Sequence, residues 1–216
     1  MEETKYDAAL VRLYWLSQRD GGIVKPSLRT RLADRTAYLL YKNGIVGNLV
    51  LAAGHMWGPN YPSFAEVARE DLLRYGVPEE AIHVRPIATS TLDETNVLLD
   101  LGYKNNWTRL GDIAFRTHMH TINHVNRGHD ITPLIIEDVL KDDDSRVVNL
   151  VEKFSNSRYE LGFWFYEMQV VAALKMAGGD YKRLTKLGRS RRVIKRHNTL
   201  FIPFPQIGLP MDKYEL

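Results

Sequence analysis

Residues Asn48 to Asn96 read NLVLAAGHMWGPNYPSFAEVAREDLLRYGVPEEAIHVRPIATSTLDETN. Leu49-Val50-Leu51-Ala52-Ala53 is an apolar run of strand length, ended by Gly54. Phe64, Val67, Ala68, Leu72 and Tyr75 then recur at helical spacing. Ser63 and Glu66 stand in the S-x-x-E pattern of a capping box, in which each residue satisfies an amide of the other's turn. Gly76-Val77-Pro78 stops that helix, because Gly suits the left-handed C′ position and Pro cannot continue the helix. Ile82-His83-Val84-Arg85-Pro86-Ile87 reads as the next strand, and Thr91-Leu92-Asp93-Glu94 repeats the capping pattern. A strand-helix-strand unit of this size implies a parallel pair with a right-handed crossover. Both strands then point their carboxyl ends, Gly54-His55 and Thr89 to Glu94, to one edge. Open α/β sheets bind ligands at that edge.

Outward from this unit the alternation continues. Asp7 to Leu13 reads as a first strand, although Tyr6, Ala9, Leu10, Leu13 and Tyr14 also fit helical spacing. Asp20-Gly21-Gly22 is a turn. Pro26-Ser27 opens a helix with Leu28, Leu32, Leu39 and Leu40 on its apolar side, and Gly44 closes it. The helix begun near Leu92 ends around Gly102. Asp112 to Thr117 and Ile131 to Ile136 read as strands, with a His-rich loop or helix start from His118 to His129. Asp142-Asp143-Asp144 is an acidic surface turn. The expected fold is a three-layer, Rossmann-like α/β domain: a mainly parallel sheet with helices on both faces. The 216 residues are read as a single domain with a helical and basic C-terminal extension over about 138–216. In that extension, Leu161 to Ala177 is apolar around most of a helix, so residues 163–176 are either buried or pair with a second copy. Leu200 to Phe204 reads as an edge strand, since Pro203 is confined to edges.

Composition narrows the function classes. The absence of cysteine excludes disulfides, zinc-thiolate sites and thiol nucleophiles. No apolar run approaches the roughly 18 residues of a membrane span. Met1 to Lys5 is polar and acidic without a leader pattern, and a cytoplasmic location is the expectation. The net charge of +3 is uneven. Eight Lys and Arg lie between Lys182 and Arg196 without an acid, and the rest has 21 basic against 26 acidic residues, a balance of −5. Such a segment binds polyanions, nucleic acid included, weakly and without reading sequence. Without G-x-G-x-x-G or a Walker pattern, the chain is neither a standard dehydrogenase nor a P-loop enzyme.

Several ionisable residues follow strand ends. His55 comes directly after Gly54, where a group titrating near neutrality serves as general acid or base. Glu66 and Glu94 are capping glutamates that also stand beside helix N-termini at the ligand edge, and Asp93 adjoins Glu94. His118, His120 and His124 are spaced H-x-H-x3-H. On a strand His118 and His120 would share a face and could hold Zn²⁺ with Asp93 or Glu94, but no tight metal motif is present and none is assigned. Trp57 can stack on a base or sugar. Arg31 or Arg35 can grip a planar anion from the first helix. The expected site is therefore His55, Asp93, Glu94 and His120 for catalysis, with Gly54, Trp57, Glu66, Thr91 and Arg31 for binding. The ligand is a nucleotide-like or anionic small molecule, with S-adenosylmethionine as one form that fits, and hydrolysis and group transfer both remain open.

The order of these motifs resembles the YdcF-like family, which includes SanA and ElyC and whose domain is of unknown function. Tyr6 to Val11 resembles its first strand. Ser27 through Arg31-Leu32 to Leu40-Tyr41 resembles its Arg-Leu helix, and Leu49 to Gly54 its strand ending in Ser-Gly-Gly. Phe64-Ala65-Glu66, Gly76-Val77-Pro78, Ile82 and Ser90 to Glu94 follow in the family's order. The family's Gly-Gly after strand one is replaced by Tyr14-Trp15, its second Gly after strand two by His55, and the Arg of its His-x-x-Arg block by Asn123. The resemblance covers roughly residues 6 to 127 and implies a Rossmann-like domain with its ligand at the carboxyl edge.

Overall fold

The computed structural model describes residues 5–14, 16–18, 24–55 and 61–155, and three further helical positions at 164, 168 and 172. In chain order the elements are β1 (Tyr6–Val11), β2 (Leu16–Gln18), β3 (Val24–Pro26), α1 (Leu28–Lys42), β4 (Val46–Ala53), α2 (Phe64–Tyr75), β5 (Ile82–Ala88), α3 (Thr91–Asn105), β6 (Leu110–Ala114), α4 (Met119–Val125), β7 (Ile131–Ile135), α5 (Ile136–Leu140) and α6 (Ser145–Ser155). Five strands form one all-parallel sheet in the order β5-β4-β1-β6-β7, and β2 pairs with β3 in a small antiparallel ribbon.

The side-chain period of a strand explains the layers. Ala9, Val11, Leu49, Leu51 and Ile113 face α1, α2, α5 and α6. Ala8, Leu10, Val50 and Ala52 face α3, and Ala114 meets α4. The central strands are covered on both sides, which is why β1 and β4 read as near-continuous apolar runs. The expected neighbours do pair in parallel, with Leu49 opposite Ile82 and Leu51 opposite Val84. The strand alternative for residues 7–13 prevails over the helical one, because Ala8 and Ala9 are both fully buried on opposite faces. Among the described residues no helix is long and apolar enough to cross a membrane.

Local signals place most helix ends. The Ser27 side chain accepts from the Thr30 amide at the start of α1. The Ser63–Glu66 capping box is complete at the start of α2. Gly76 closes α2 in the left-handed region at φ 92°, a conformation glycine adopts without the Cβ penalty.

Three expectations are corrected. The second cap is shifted by one residue: Ser90, not Thr91, caps α3, and its hydroxyl accepts from the Asp93 amide, so Glu94 is freed to turn inward. Strand β6 is Leu110–Ala114 rather than 112–117, because buried Phe115 leads into a tight turn over Arg116–His118. His118 and His120 therefore do not share a strand face. Helix α3 also runs past Gly102 to Asn105, where Asn106 takes the left-handed conformation. The Asp20–Gly22 turn, the 200–204 strand and the basic segment 182–196 lie outside the described residues. Of residues 163–176 only Trp164, Met168 and Ala172 are described, and they are helical and exposed.

Candidate functional site

Every strand of the sheet ends at the same edge, and each delivers a polar group there. The centre is closed by Arg12, the first residue after β1, which is fully buried. Its Nε donates to Asp112 Oδ1 at 2.9 Å, and one terminal nitrogen donates to Asp112 Oδ2 at 2.6 Å and to Thr95 Oγ1 at 2.7 Å. The other donates to Glu94 Oε2 at 2.9 Å and to the Thr91 carbonyl at 2.8 Å. Five bonds meet the five N–H donors of a guanidinium, so none remains for a ligand. Asn126 extends the network, donating to Asp112 Oδ2 and accepting from Thr95 Oγ1, both at 3.0 Å. This joins β1, β6, α3 and the end of α4.

Electrostatics within the network are unbalanced, since one guanidinium faces two carboxylates. Burial pushes Glu94 up to about 7 against the pull of Arg12, and Asp112 and Asp93 push in the same direction. His118, close by, is held well below its ordinary range by burial and by the charges of Arg12 and Arg29, so its imidazole is neutral.

Beyond β4 and β5 the polar groups serve their own loops. Gly54 donates to the Ala88 carbonyl at 2.9 Å, and a Cβ there would stand 2.9 Å from the Pro86 oxygen and 3.0 Å from that of Ala88. His55 is exposed, with Nδ1 2.8 Å from the Tyr61 carbonyl. Glu66 accepts from the Ser63 amide at 2.7 Å, and that amide, then the Ser63 side chain, then His55 hold its carboxyl below the ordinary range. Asp93 accepts from the Thr89 amide and hydroxyl.

Beyond β6 and β7 the edge opens. Arg29, near the start of α1, is 2% exposed and lies over the rings of Tyr14, at 4.3 Å, and Phe115, at 4.6 Å. Its guanidinium donates to Thr117 Oγ1 at 2.8 Å. The Tyr14 hydroxyl accepts from the Phe115 amide at 3.0 Å. Glu137, just past β7, accepts from the Arg116 amide at 3.1 Å, and burial raises its pKa while that amide and the charges of Arg116 and Arg29 oppose the rise. A cleft of about 560 Å³ lies outside these groups. Its lining includes the polar residues Arg116, Thr117, His120, Glu137, Lys141 and Glu152 and the apolar residues Leu140, Val148, Val151 and Trp164. The size lies within the range of small-molecule sites.

The expected residues are thus divided. His55, Glu66, Asp93, Glu94 and His120 all stand at the carboxyl edge, but only His120 lines the cleft. Parallel strands are about 4.8 Å apart, so the loops after β4 and β6, two strands from each other, start roughly 10 Å apart. Thr91 contributes its carbonyl to Arg12. Arg31 faces α2, where its charge, after that of Arg74, opposes the burial-driven rise of Asp71. Arg35 instead grips Asp143 with two bonds at 2.9 and 2.8 Å, tying α1 to the acidic turn. Trp57 lies outside the described residues. Among the described residues, no three His, Asp or Glu are grouped to hold a metal.

Arg12, Asp112, Arg29 and Glu137 are absent from the expected site. Two of them carried a signal: Asp112 interrupts an apolar strand, and Arg12 directly follows one. A charge so placed requires a partner.

The class defined by this architecture is a parallel, three-layer α/β domain with a polar carboxyl edge. Comparison with protein-family models, with curated proteins and with solved structures found no match for this chain.

Proposed function

We propose that the protein binds an anionic, nucleotide-like small molecule at the carboxyl edge of its sheet, in the cleft beyond β6 and β7, and that it is a divergent YdcF-like domain. The observation that carries the binding reading is the composition of that cleft: Lys141 for an anionic group, beside Arg116, which also pairs with Asp138; Trp164 and Val151 for a flat apolar one; and His120 and Glu137 as ionisable groups in the same lining. Arginine and lysine recognise phosphate or carboxylate, and an indole offers a face to a base. Support for the family reading comes from where five of its quoted blocks fall, at the end of β1, the start of α1, the end of β4 and the starts of α2 and α3, while Leu40-Tyr41, Gly76-Val77-Pro78 and Ile82 fall at the opposite edge. The first five share the carboxyl edge. His120 and Glu137 would transfer a proton if the bound molecule is hydrolysed or its group transferred.

A thermal-shift series with nucleoside phosphates, sugar nucleotides and S-adenosylmethionine tests the reading. A ligand at about 100 times its Kd stabilises the fold by about 2.7 kcal/mol. The double variant Lys141→Glu/Glu137→Gln should lose that shift while keeping its unliganded Tm. No shift with any of these compounds, or a shift the double variant retains in full, refutes the assignment.

A further inference from the structure

Helices α1 and α2 pack side by side, and both begin at the carboxyl edge. Asp34 lies six residues into α1 from Leu28 and Asp71 seven residues into α2 from Phe64, so the two stand at similar depth, roughly 10 Å below the helix starts. Asp34 is 0% exposed, and among the described residues neither of its carboxyl oxygens has a donor within hydrogen-bonding distance. The groups around it are charged but not complementary at contact distance. From α2 come Asp71, Arg74 and Tyr75, with Glu70 acting on Asp71. The Asp71 carboxylate is already taken by Arg74 of its own helix. From α1 come Arg31, whose charge acts on Asp71, and Arg35, which is held by Asp143. The sheet residues in the core that α1 and α2 cover, Leu49 and Leu51 among them, are apolar.

An ionised carboxylate sealed in this way and facing a second one is strongly disfavoured, whereas a neutral acid costs little more than any buried polar group. We propose that Asp34 keeps its proton in the folded protein at neutral pH, and that with Asp71 it makes the α1–α2 seam a proton-held latch, closed while Asp34 is neutral and loosened when it ionises. Burial, and then the charge of Asp71, push Asp34 well above the usual carboxylate range, with Arg74 opposing. The sign follows from proton uptake. Between the ordinary value of 3.8 and the raised one, the folded state binds the proton and the unfolded chain does not, so stability falls as pH rises. Because α1 and α2 carry the Ser27 and Ser63 caps at the ligand edge, loosening their seam also frees those two helix starts.

Urea unfolding of the wild type, Asp34→Asn and Asp71→Asn at about pH 5 and about pH 8, with amide exchange along α1 and α2, tests this. Each pH unit of retained proton is worth tenfold in the unfolding equilibrium. On raising the pH, the wild-type unfolding constant should increase more than about tenfold relative to that of Asp34→Asn. Exchange in α1 and α2, corrected for intrinsic rates, should accelerate in the wild type and not in Asp34→Asn. Asp71→Asn removes the facing charge and should reduce the wild-type effect. Identical pH dependence of wild type and Asp34→Asn means that Asp34 is ionised in the fold and overturns the proposal. So does an Asp34→Asn chain unfolded at about pH 5, where asparagine closely matches the neutral acid.

Discussion

The loops after β4 and β5 and the cluster after β1 and β6 occupy the same edge of one sheet, yet they use charge in opposite ways. In the first region each polar side chain closes its own neighbourhood: Glu66 bonds Ser63, Asp93 bonds Thr89, and His55 reaches Tyr61. In the second, Arg12 reaches residues 79 to 100 positions away and is buried together with Glu94, Thr95 and Asp112. The difference teaches where stability is concentrated. A local bond forms almost as readily in an isolated turn, whereas the Arg12 network exists only when four elements have assembled. Removing one partner of a buried charge is also far costlier than removing a local cap.

The largest effect is expected from Asp112→Asn, which leaves the Arg12 guanidinium short of its closest counter-charge. We expect a loss of about 3–5 kcal/mol, read by urea unfolding. A loss no greater than that of a cap variant would erase the distinction between the two regions.

Glu94→Gln should behave differently, because Arg12 and Asp112 already neutralise each other. The folded value of Glu94 is about 7 against an ordinary 4.5, so the folded state holds the extra proton between these limits. The stability it contributes is complete below 4.5 and is lost as pH rises to about 7, up to about 3 kcal/mol in all. His118, with its lowered value, works in the opposite direction below 6.5. The difference between wild type and Glu94→Gln isolates the glutamate: similar stability near pH 5, and a relative gain for the variant near pH 8. A variant that is less stable at pH 8 than at pH 5, relative to wild type, would show that Arg12 needs both carboxylates ionised.

Gly54→Ala tests the first region at its tightest point. The added carbon meets two backbone oxygens, which cannot swing away, and about 1–3 kcal/mol should be lost. Ser63→Ala removes the cap hydroxyl and should cost about 1 kcal/mol. Circular dichroism melts would read both, and a larger loss for Ser63→Ala than for Asp112→Asn would invert the ranking.

This contrast also explains what could be read from the chain. Caps and stops involve residues three or four apart, so Ser63–Glu66 and Gly76 are legible as written. The second box is ambiguous by one position because Ser90 and Thr91 are both able to cap, and only packing selects between them. Glu94 did carry a signal of its inward direction: it lies three, four and seven residues before Val97, Leu98 and Leu101, on the buried face of α3. The parallel sheet followed from apolar runs and turn residues. The pairing of Arg12 with Asp112 did not, since nothing local links positions a hundred apart. The cleft depends on β6 stopping at Ala114 and on α5 and α6 folding back, which no spacing in the His-rich stretch encodes.

The central place of β1 has a consequence for synthesis. One of its edges is met by β4, which is complete by Ala53, but the other must wait for Leu110–Ala114. At about 5–20 residues per second, the ribosome needs roughly 3–12 s to cross that interval. For that time a nascent half-sheet displays an unpaired apolar strand, the kind of template that recruits other chains. Arg12 waits longer for Asp112, which lies 100 residues further on, so the nascent chain reaches its point of greatest exposure to chaperones before the keystone is set.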